Sequence, residues 1–477
     1  MPEEGMLTEQ LEMGCNGQPE HTPRSHGSPE YHEADPPWKS HWLKPPAEST
    51  ADKDELPDVH YREDGQWREN DYWFDVDDNF WVRYTPFLAA RGYQVCACDC
   101  VAHVSPGGES CPDILPFYQE IQPLPFPTRL WLSEKKDSKS CGKPLQGAVR
   151  FGRDARGRHI VLKVVIQGSP EYRIFERLLH CPELYRPESF PCVIPPLGMM
   201  NSPHKFTFVS MPMWSSSSVE PHVFDTVGEF ITYLECMLKG LAFLHEKRII
   251  HADIAERNIA VNCCIPELES WNLGKAREPY LRLHRLGYPG VPNAQPVPVL
   301  YALLDFNVST CLPIDTSIRD CRRPAVEFSR GTIFHSGDCA MGEYDYNPFW
   351  ADVGSLGAMC LYWIPDIAAA IPVLAPLLAK MVSHIPSARF TAAEALTYVT
   401  ECKASFSVDD LAKPLPDKRR TFFYHDWWDK LNPDDRQRWE LYAVPPRSWA
   451  FRVCDRIFSR VPHLFSVVVY LRNILRI

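Results

Sequence analysis

The feature that most constrains this chain is a polar run between apolar segments, His251-Ala252-Asp253-Ile254-Ala255-Glu256-Arg257-Asn258. After an interval it is followed by Asp305-Phe306-Asn307. Asp253 is suited to orient an attacking hydroxyl and accept its proton, and Asn258 and Asp305 are suited to hold magnesium against phosphate groups. Because a His-x-Asp tripeptide also arises by chance in a long chain, the other segments have to decide.

Length and charge limit the alternatives. The chain has 477 residues, which exceeds the ~100–200 residues of one domain, and 45% of them are hydrophobic. A net charge of −11 argues against nucleic acid as a partner, because neutralising phosphates requires a basic surface. The sequence shows neither a secretory signal nor an apolar stretch of the ~20 residues that span a bilayer. We therefore expect an intracellular, cytoplasmic protein whose 17 cysteines are mostly reduced.

The first part of the chain changes composition twice. Residues 1–55 are rich in Pro, Glu, His and Ser without periodicity, which predicts a disordered tail. Residues 56–128 form an aromatic-rich extension that we expect to pack on the main domain. One helical face is predicted for Phe80, Trp81, Tyr84 and Leu88. Pro86 should limit the length of that helix.

Three alternating cysteines, Cys96, Cys98 and Cys100, invite a metal. Residues that alternate along a strand share one side without being ligands, and no second Cys/His pair stands at zinc-site spacing. Packing of the thiols is therefore the preferred interpretation, with a metal site as the alternative.

A turn and a strand that could face an anion come next. Gly142 and Gly147 flank a turn that ends at Val149, and glycines let backbone N–H groups approach phosphates. Pro144 removes one such donor. Lys163 lies in the β-branched run that follows, where burying its charge is costly unless an anion pairs with it. The alternative is that Lys163 lies on an edge strand and faces water.

Two helices are predicted from caps and apolar spacing. Ser169 and Pro170 are typical of a helix start, and an apolar stripe follows with Glu171 one turn before it. Residues 227–245 show an amphipathic pattern that leads directly to the run at His251.

Taken in order, these segments resemble the motifs of the protein kinase family from about Gly142 to Leu396. The glycine turn is similar to G-x-G-x-x-G-x-V, Lys163 to the lysine of V-A-I-K, the run at His251 to H-R-D-x-x-x-x-N, and Asp305 to the start of D-F-G. Asp352-Val353-Gly354-Ser355-Leu356-Gly357 and the segment around Arg389 are similar to later helices of that family. The chain also resembles uncharacterised fungal kinase-like proteins.

The resemblance implies an α+β, bilobal fold, with a small antiparallel β lobe that has one helix and a larger, mainly helical lobe. It divides the chain into the tail 1–55, the extension 56–128, a small lobe 129–213, a large lobe 214–403 with an insertion at about 263–298, and a C-terminal extension 404–477. It also implies ATP and Mg²⁺ as cofactors and a protein substrate, which stays unidentified.

The same resemblance assigns roles to residues. Phosphates would be contacted near Gly142, Gly147 and Val149 and held by Lys163. Lys163 would pair with Glu171, with Glu176 as the alternative. The adenine would contact the backbone near Met211 and Met213, although Pro212 lacks an N–H. Catalytic roles would fall to Asp253, Lys163 and Arg257, and metal binding to Asn258 and Asp305. Asp352 would brace the loop.

Several departures keep a second hypothesis open. Pro144 replaces a glycine of the turn, and Ala252 replaces the usual arginine. No A-P-E follows Arg330-Gly331-Thr332. Because the glutamate of A-P-E usually pairs with the arginine at the position of Arg389, the partner of Arg389 stays open. Asn307 replaces the glycine of D-F-G, and asparagine tolerates the left-handed φ of such a turn. A pseudokinase, an ATP-binding or non-catalytic scaffold, is therefore the alternative to an active kinase. A small-molecule phosphotransferase with an H-G-D loop ranks third.

The end of the chain carries arginines among apolar residues from Phe451 to Ile477. A basic amphipathic segment of this kind can lie on an anionic membrane surface. The alternative is packing against the body of the protein, and Pro462 should interrupt a continuous helix.

Overall fold

The computed structural model describes residues 78–95, 128–129, 147–155, 159–214, 224–264, 299–324, 331–334, 344–416, 427–446 and 448–475. Within these ranges the chain is a mixed α+β protein, which confirms the predicted class. The predicted tail, the cysteines Cys96, Cys98 and Cys100, and Gly142 and Pro144 lie outside the described residues.

The first half contains α1 (Asp78–Ala89), β1 (Gln94–Val95), β2 (Thr128–Arg129), β3 (Val149–Arg153), β4 (His159–Ile166), α2 (Pro170–Leu179), β5 (Gly198–Asn201), β6 (Phe206–Pro212), α3 (Val227–Glu246), β7 (Ile249–Ile250), β8 (Ile259–Val261) and β9 (Cys263–Cys264). The second half contains β10 (Tyr301–Leu303), β11 (Thr310–Cys311), β12 (Arg323–Pro324), β13 (Asp345–Tyr346), α4 (Pro348–Trp363), α5 (Ile367–Ala370), α6 (Ala375–Val382), α7 (Ala392–Ser405), α8 (Val408–Ala412), α9 (Pro433–Arg438), α10 (Trp449–Arg460) and α11 (Pro462–Leu475).

The main sheet is antiparallel, with strand order β1-β3-β4-β6-β5. Its two faces differ in burial because side chains alternate along each strand. On β4, Ile160, Leu162 and Val164 have no exposed surface, whereas Val161 and Lys163 between them are half-buried. One face is therefore covered completely and the other, which carries Lys163, is partly open.

Helix α1 covers the buried face. The rings of Phe80 and Tyr84 lie 5.4 and 5.3 Å from that of Phe206, and Phe208 packs beside them. This confirms the helical face predicted for the aromatic extension. The helix includes Pro86 and ends three residues later, at Ala89, which agrees with the expected limit on its length. The proline removes one backbone hydrogen bond, and burial of the aromatic face outweighs that loss.

Helix α3 organises the remaining core. It begins at the predicted position with a capping box between Thr226 and Glu229. Its buried side chains include Phe230, Tyr233 and Leu234, and it packs against α4, α7 and β10. Its partly exposed residues, among them Glu229, Thr232, Glu235 and Lys239, recur at helical spacing, so the helix is amphipathic as predicted, with a wide buried face.

Strands β8 and β10 pair antiparallel with Leu303 opposite Ile259. Asn258 precedes β8 and Leu304 follows β10, and the Leu304 amide donates to the Asn258 carbonyl at 3.0 Å. The two polar segments singled out by the sequence thus meet at one end of this ladder. Residues 265–298, most of the predicted insertion, lie outside the described residues.

The predicted interruption at Pro462 is confirmed, since α10 ends at Arg460 and α11 begins at Pro462. Among the helices that the structure describes, none has both the length and the apolar character that are needed to cross a bilayer.

The packing of α1 on the sheet gives a testable expectation. Leu88→Ala should lower the free energy of unfolding by about 3 kcal/mol, because Leu88 is fully buried and its truncation leaves a cavity. Val82→Ala on the same helix removes an exposed side chain and should change it by less than about 0.5 kcal/mol. Urea unfolding of both variants measures the difference. Equal effects would mean that α1 is not part of the cooperative core.

Candidate active site

Lys163 stands at the centre of a three-residue cluster. Its Nζ donates to Glu171 Oε1 at 2.5 Å and to Asp305 Oδ1 at 2.7 Å. Glu171 reaches the lysine because α2 starts at the cap Ser169, whose hydroxyl accepts from the Tyr172 amide. Glu176, the alternative partner, is exposed. The structure therefore joins Lys163 to the glutamate that the sequence favoured and to the distant Asp305.

Burial and charge oppose each other in this cluster. Burial alone would lower the pKa of Lys163, but the charges and hydrogen bonds of Asp305 and Glu171 outweigh it and raise that pKa. Burial tends to raise the pKa of Asp305, yet Lys163 holds it below its usual value. Burial raises the pKa of Glu171 more than Lys163 lowers it. The ammonium of Lys163 thus pairs with two carboxylates. Burial disfavours the charged form of Glu171 more than that of Asp305.

The turn at Asp305 differs from the one expected. Asp305 itself has φ +68°, whereas Asn307 is not in the left-handed region. The Asn307 amide instead donates to Asp305 Oδ1 at 3.4 Å. Phe306 points into the core, with its ring 5.5 Å from Phe175 on α2 and 5.7 Å from His251. This packing of Phe306 between α2 and the polar run fixes the neighbouring Asp305, and the backbone strain lies at that aspartate.

The polar run is held by its backbone. The carboxylate of Asp352 accepts from the amides of His251 and Ala252, each at 2.8 Å, and Asp352 also contacts His245 Nε2 at 3.0 Å. Ala252 has φ +61°, which is costly for a residue with a Cβ, and the two charge-assisted bonds offset that cost. The expected brace by Asp352 is therefore present.

Asp253 is oriented by its neighbours. Arg257 Nη2 lies 2.9 Å from both Asp253 oxygens, and Asn258 Nδ2 donates to Asp253 Oδ2 at 2.7 Å. A carboxylate has about four lone-pair sites, of which these contacts use three. Within the described part of the chain, Asp253 Oδ1 thus keeps room for one hydroxyl. The carboxylate of Asp253 can therefore accept the proton of a hydroxyl group that approaches Oδ1.

Two oxygen atoms nearby could ligate a cation. Asn258 uses its Nδ2 on Asp253, and Asp305 uses Oδ1 on Lys163, so Asn258 Oδ1 and Asp305 Oδ2 make no hydrogen bond to any described residue. Magnesium is usually bound by one or two protein oxygens together with phosphates and water. These residues fit that ligand set. Among the described residues no group of three or more His, Cys, Asp or Glu side chains could hold a metal alone.

Gly331 packs directly on the polar run that begins at His251. A Cβ there would lie 2.6 Å from the Ala252 carbonyl and 2.7 Å from Asp253 Cβ. The Gly331 carbonyl also accepts from Arg257 at 3.0 Å. The absence of a side chain is therefore what lets this segment approach Asp253 so closely.

The partly open face of the sheet continues the site away from Lys163. Val149 is opposite Lys163, and Met211 is opposite Val161, so these four side chains share one face. All four are half-buried, which leaves an apolar surface beside a cation. Met213 is buried and follows the strand.

Gly147 is held from the other side of the sheet. It has φ +73°, and its carbonyl accepts from the indole Nε1 of Trp81 at 3.0 Å. Helix α1 therefore fixes the backbone just before Val149.

Sequence reasoning missed several positioning residues. Ser309 donates to the His251 carbonyl at 2.6 Å, and Thr332 to the Ile254 carbonyl at 2.7 Å. Trp81 was predicted as a packing residue only. Arg389 donates to the carbonyls of Ser383 and Trp350 at 2.7 and 3.2 Å, so backbone groups supply partners that the sequence left open. Of these residues, only Thr332 could have been found from the sequence, because it follows Gly331 in the Arg330-Gly331-Thr332 segment.

The Lys163 cluster predicts a pH-dependent loss of stability. Lys163→Met removes the cation from the buried Glu171 and from the partly exposed Asp305, and should lower the free energy of unfolding by about 3 kcal/mol at neutral pH. Because the pKa of Asp305 is lowered in the folded state, its pairing stabilises above about pH 4 and is lost as pH falls further. The difference from the parent should therefore shrink below about pH 4. Urea unfolding against pH measures it.

Lys205→Met is the matched control, since Lys205 is exposed at the turn between β5 and β6. It should leave the free energy of unfolding nearly unchanged at every pH. A Lys163→Met effect that did not change with pH would contradict the electrostatic explanation and indicate lost packing instead.

Two comparisons with known proteins find no match, so the function has to be inferred from the residues of this site. A scan against models of protein families finds no match to the chain. A search of curated proteins finds no relative.

Proposed function

We propose that this chain is a protein kinase, which transfers the γ-phosphoryl group of ATP to a protein hydroxyl, of serine or threonine rather than tyrosine. One observation carries the proposal: Lys163 joins Glu171 and Asp305, although Asp305 is distant in sequence and lies beside Asn258. Phosphoryl transfer needs a cation on the phosphates, metal ligands and an oriented acceptor, and these residue types supply all three.

Each side chain has a role in this mechanism. Lys163 would leave Asp305 to hold the α- and β-phosphates, with Glu171 keeping its ammonium in place. Asn258 and Asp305 would hold Mg²⁺, which supplies charge neutralisation on the phosphates. Asp253 would orient the acceptor hydroxyl and take its proton, and Arg257 would supply a positive charge beside it. The half-buried apolar face at Val161 and Met211 suits an adenine ring.

The proposed fold is bilobal. The five-stranded sheet with α2 would be the smaller lobe, and the helices from α3 onward would be the larger one. Lys163 and Glu171 would then come from the smaller lobe and Asp253, Asn258 and Asp305 from the larger one. Such an arrangement would put the phosphates between the two lobes, where closure could exclude water.

Two substitutions separate the proposed roles. Asp253→Asn should lower phosphoryl transfer about 100-fold or more while retaining Mg-ATP binding, because it removes a proton acceptor and not a metal ligand. Asp305→Asn should weaken Mg-dependent ATP binding as well. Radiolabel transfer to a peptide library and calorimetric ATP binding measure the two effects.

The control is Asp409→Asn, an exposed aspartate on α8. It should change neither quantity. Transfer that persisted unchanged in Asp253→Asn would refute the assigned acceptor role.

Gly331 offers a test of geometry. Gly331→Ala should displace Asp253 and lower the transfer rate about 100-fold, because small misplacements of reacting groups are costly. ATP affinity should hold, since no hydrogen bond joins Gly331 to Lys163 or Asp305 among the described residues. Steady-state kinetics with measured ATP binding separate the two. Unchanged kcat in the folded variant would contradict the placement.

A pseudokinase is the second candidate, favoured by Pro144, Ala252 and Asn307 and by the missing A-P-E. The direct Lys163–Asp305 contact is compatible with either candidate. Thermal stabilisation by Mg-ATP without transfer to any peptide or to the chain itself would favour this scaffold function.

A further inference from the structure

The exposed apolar side chains of the described residues concentrate in one place. Ten of the fifteen large ones belong to α10, α11 and the residue between them. Seven of these ten are between 42% and 60% exposed: Val453, Ile457, Val461, Leu464, Val467, Leu471 and Ile474. We call α10 and α11 together the arginine-rich helix pair. The main packing partner of each of these helices, among the described elements, is the other.

The apolar residues follow helical spacing. Val453 and Ile457 are four apart on α10, and Leu464, Val467 and Leu471 are three and four apart on α11. Residues at such spacing lie on one side of a helix. Each helix therefore presents an apolar stripe that the described part of the chain covers only in part.

The charges of this segment are mostly positive. From 447 to 477 the sequence has one acidic residue, Asp455, and six arginines, Arg447, Arg452, Arg456, Arg460, Arg472 and Arg476. The resulting net charge of +5 contrasts with −11 for the whole chain. Arg452, Arg456 and Arg460 are exposed and stand at intervals of four, so they form a row directly beside the stripe of Val453 and Ile457.

Aromatic residues complete the pattern. Trp449 is 73% and Tyr470 66% exposed, and these two residue types favour the boundary between headgroups and acyl chains. A helix with arginines beside an apolar stripe is typical of segments that lie in the plane of a membrane surface. A protein partner could also cover the apolar stripe, but the excess of positive charge and the exposed Trp449 and Tyr470 favour a lipid surface.

We propose that the arginine-rich helix pair docks this protein on an anionic lipid bilayer, with its apolar stripe among the acyl chains and its arginines at the headgroups. α11 has 14 residues, which suits a surface orientation rather than a span. This proposal does not depend on the proposed kinase activity, and it would localise whatever chemistry the Lys163 cluster performs.

Vesicle co-sedimentation of the full chain tests this. Vesicles of two parts phosphatidylcholine to one part phosphatidylserine should bind it, binding should fall with added salt, and pure phosphatidylcholine should bind far less. The triple variant R452Q/R456Q/R460Q should partition about 100-fold more weakly, since each arginine near an anionic surface is worth about a fivefold factor. Circular dichroism checks that it folds.

R83Q/R173Q/R186Q is the matched control, because these three arginines are exposed on other elements. It should bind like the parent. Ile457→Asp should also weaken binding, by placing a carboxylate in the apolar stripe.

Three results would overturn the proposal. They are equal binding to neutral and anionic vesicles, equal losses in the two triple variants, and no binding to either vesicle. Sedimentation velocity addresses a protein occupant. Concentration-dependent self-association that Ile457→Asp abolishes, without lipid binding by the parent, would identify the pair as a contact between copies of this chain.

Discussion

The buried ammonium of Lys163 is the interaction on which the candidate site depends. It is shared by Glu171 and Asp305, which come from helix α2 and from the segment after β10. An unpaired ammonium at this position would be destabilising, so Lys163 needs an anionic partner, which is a carboxylate here and a phosphate in the proposed mechanism. One charge therefore ties the sheet, α2 and the polar segments into one arrangement, and it leaves Asp305 with an oxygen that faces no described donor.

Backbone strain is the second constraint. Ala252 and Asp305 both have left-handed φ, and both lie beside groups that the proposed chemistry uses. Strain at such positions persists only when the surroundings impose it. For Ala252 the surroundings are the carboxylate of Asp352, and for Asp305 they are the Lys163 ion pair and the buried ring of Phe306. The site is thus held in place by contacts that reach it from three different elements.

The two faces of the sheet have different environments. The face against α1 is sealed by aromatic packing, whereas the face with Lys163 stays partly open. Trp81 connects the two, because its indole N–H reaches the Gly147 carbonyl. If the proposed kinase activity is correct, α1 therefore stiffens the strand that would lie over the phosphates. The arginine-rich helix pair takes no part in this site, since each of its helices contacts mainly the other among the described elements.

The sequence by itself determined the elements and the residue types of the site. The alternation around Lys163, the cap at Ser169 and the apolar spacing of α3 are local patterns, and the structure has each of them. Only the tertiary structure decided that Asp305, and not Asn307, adopts the left-handed turn. It also decided that Ser309 and Trp81 bind distant backbone carbonyls. The reason is physical: capping and periodicity act between neighbours in sequence, whereas these contacts depend on which distant groups packing brings within hydrogen-bond reach.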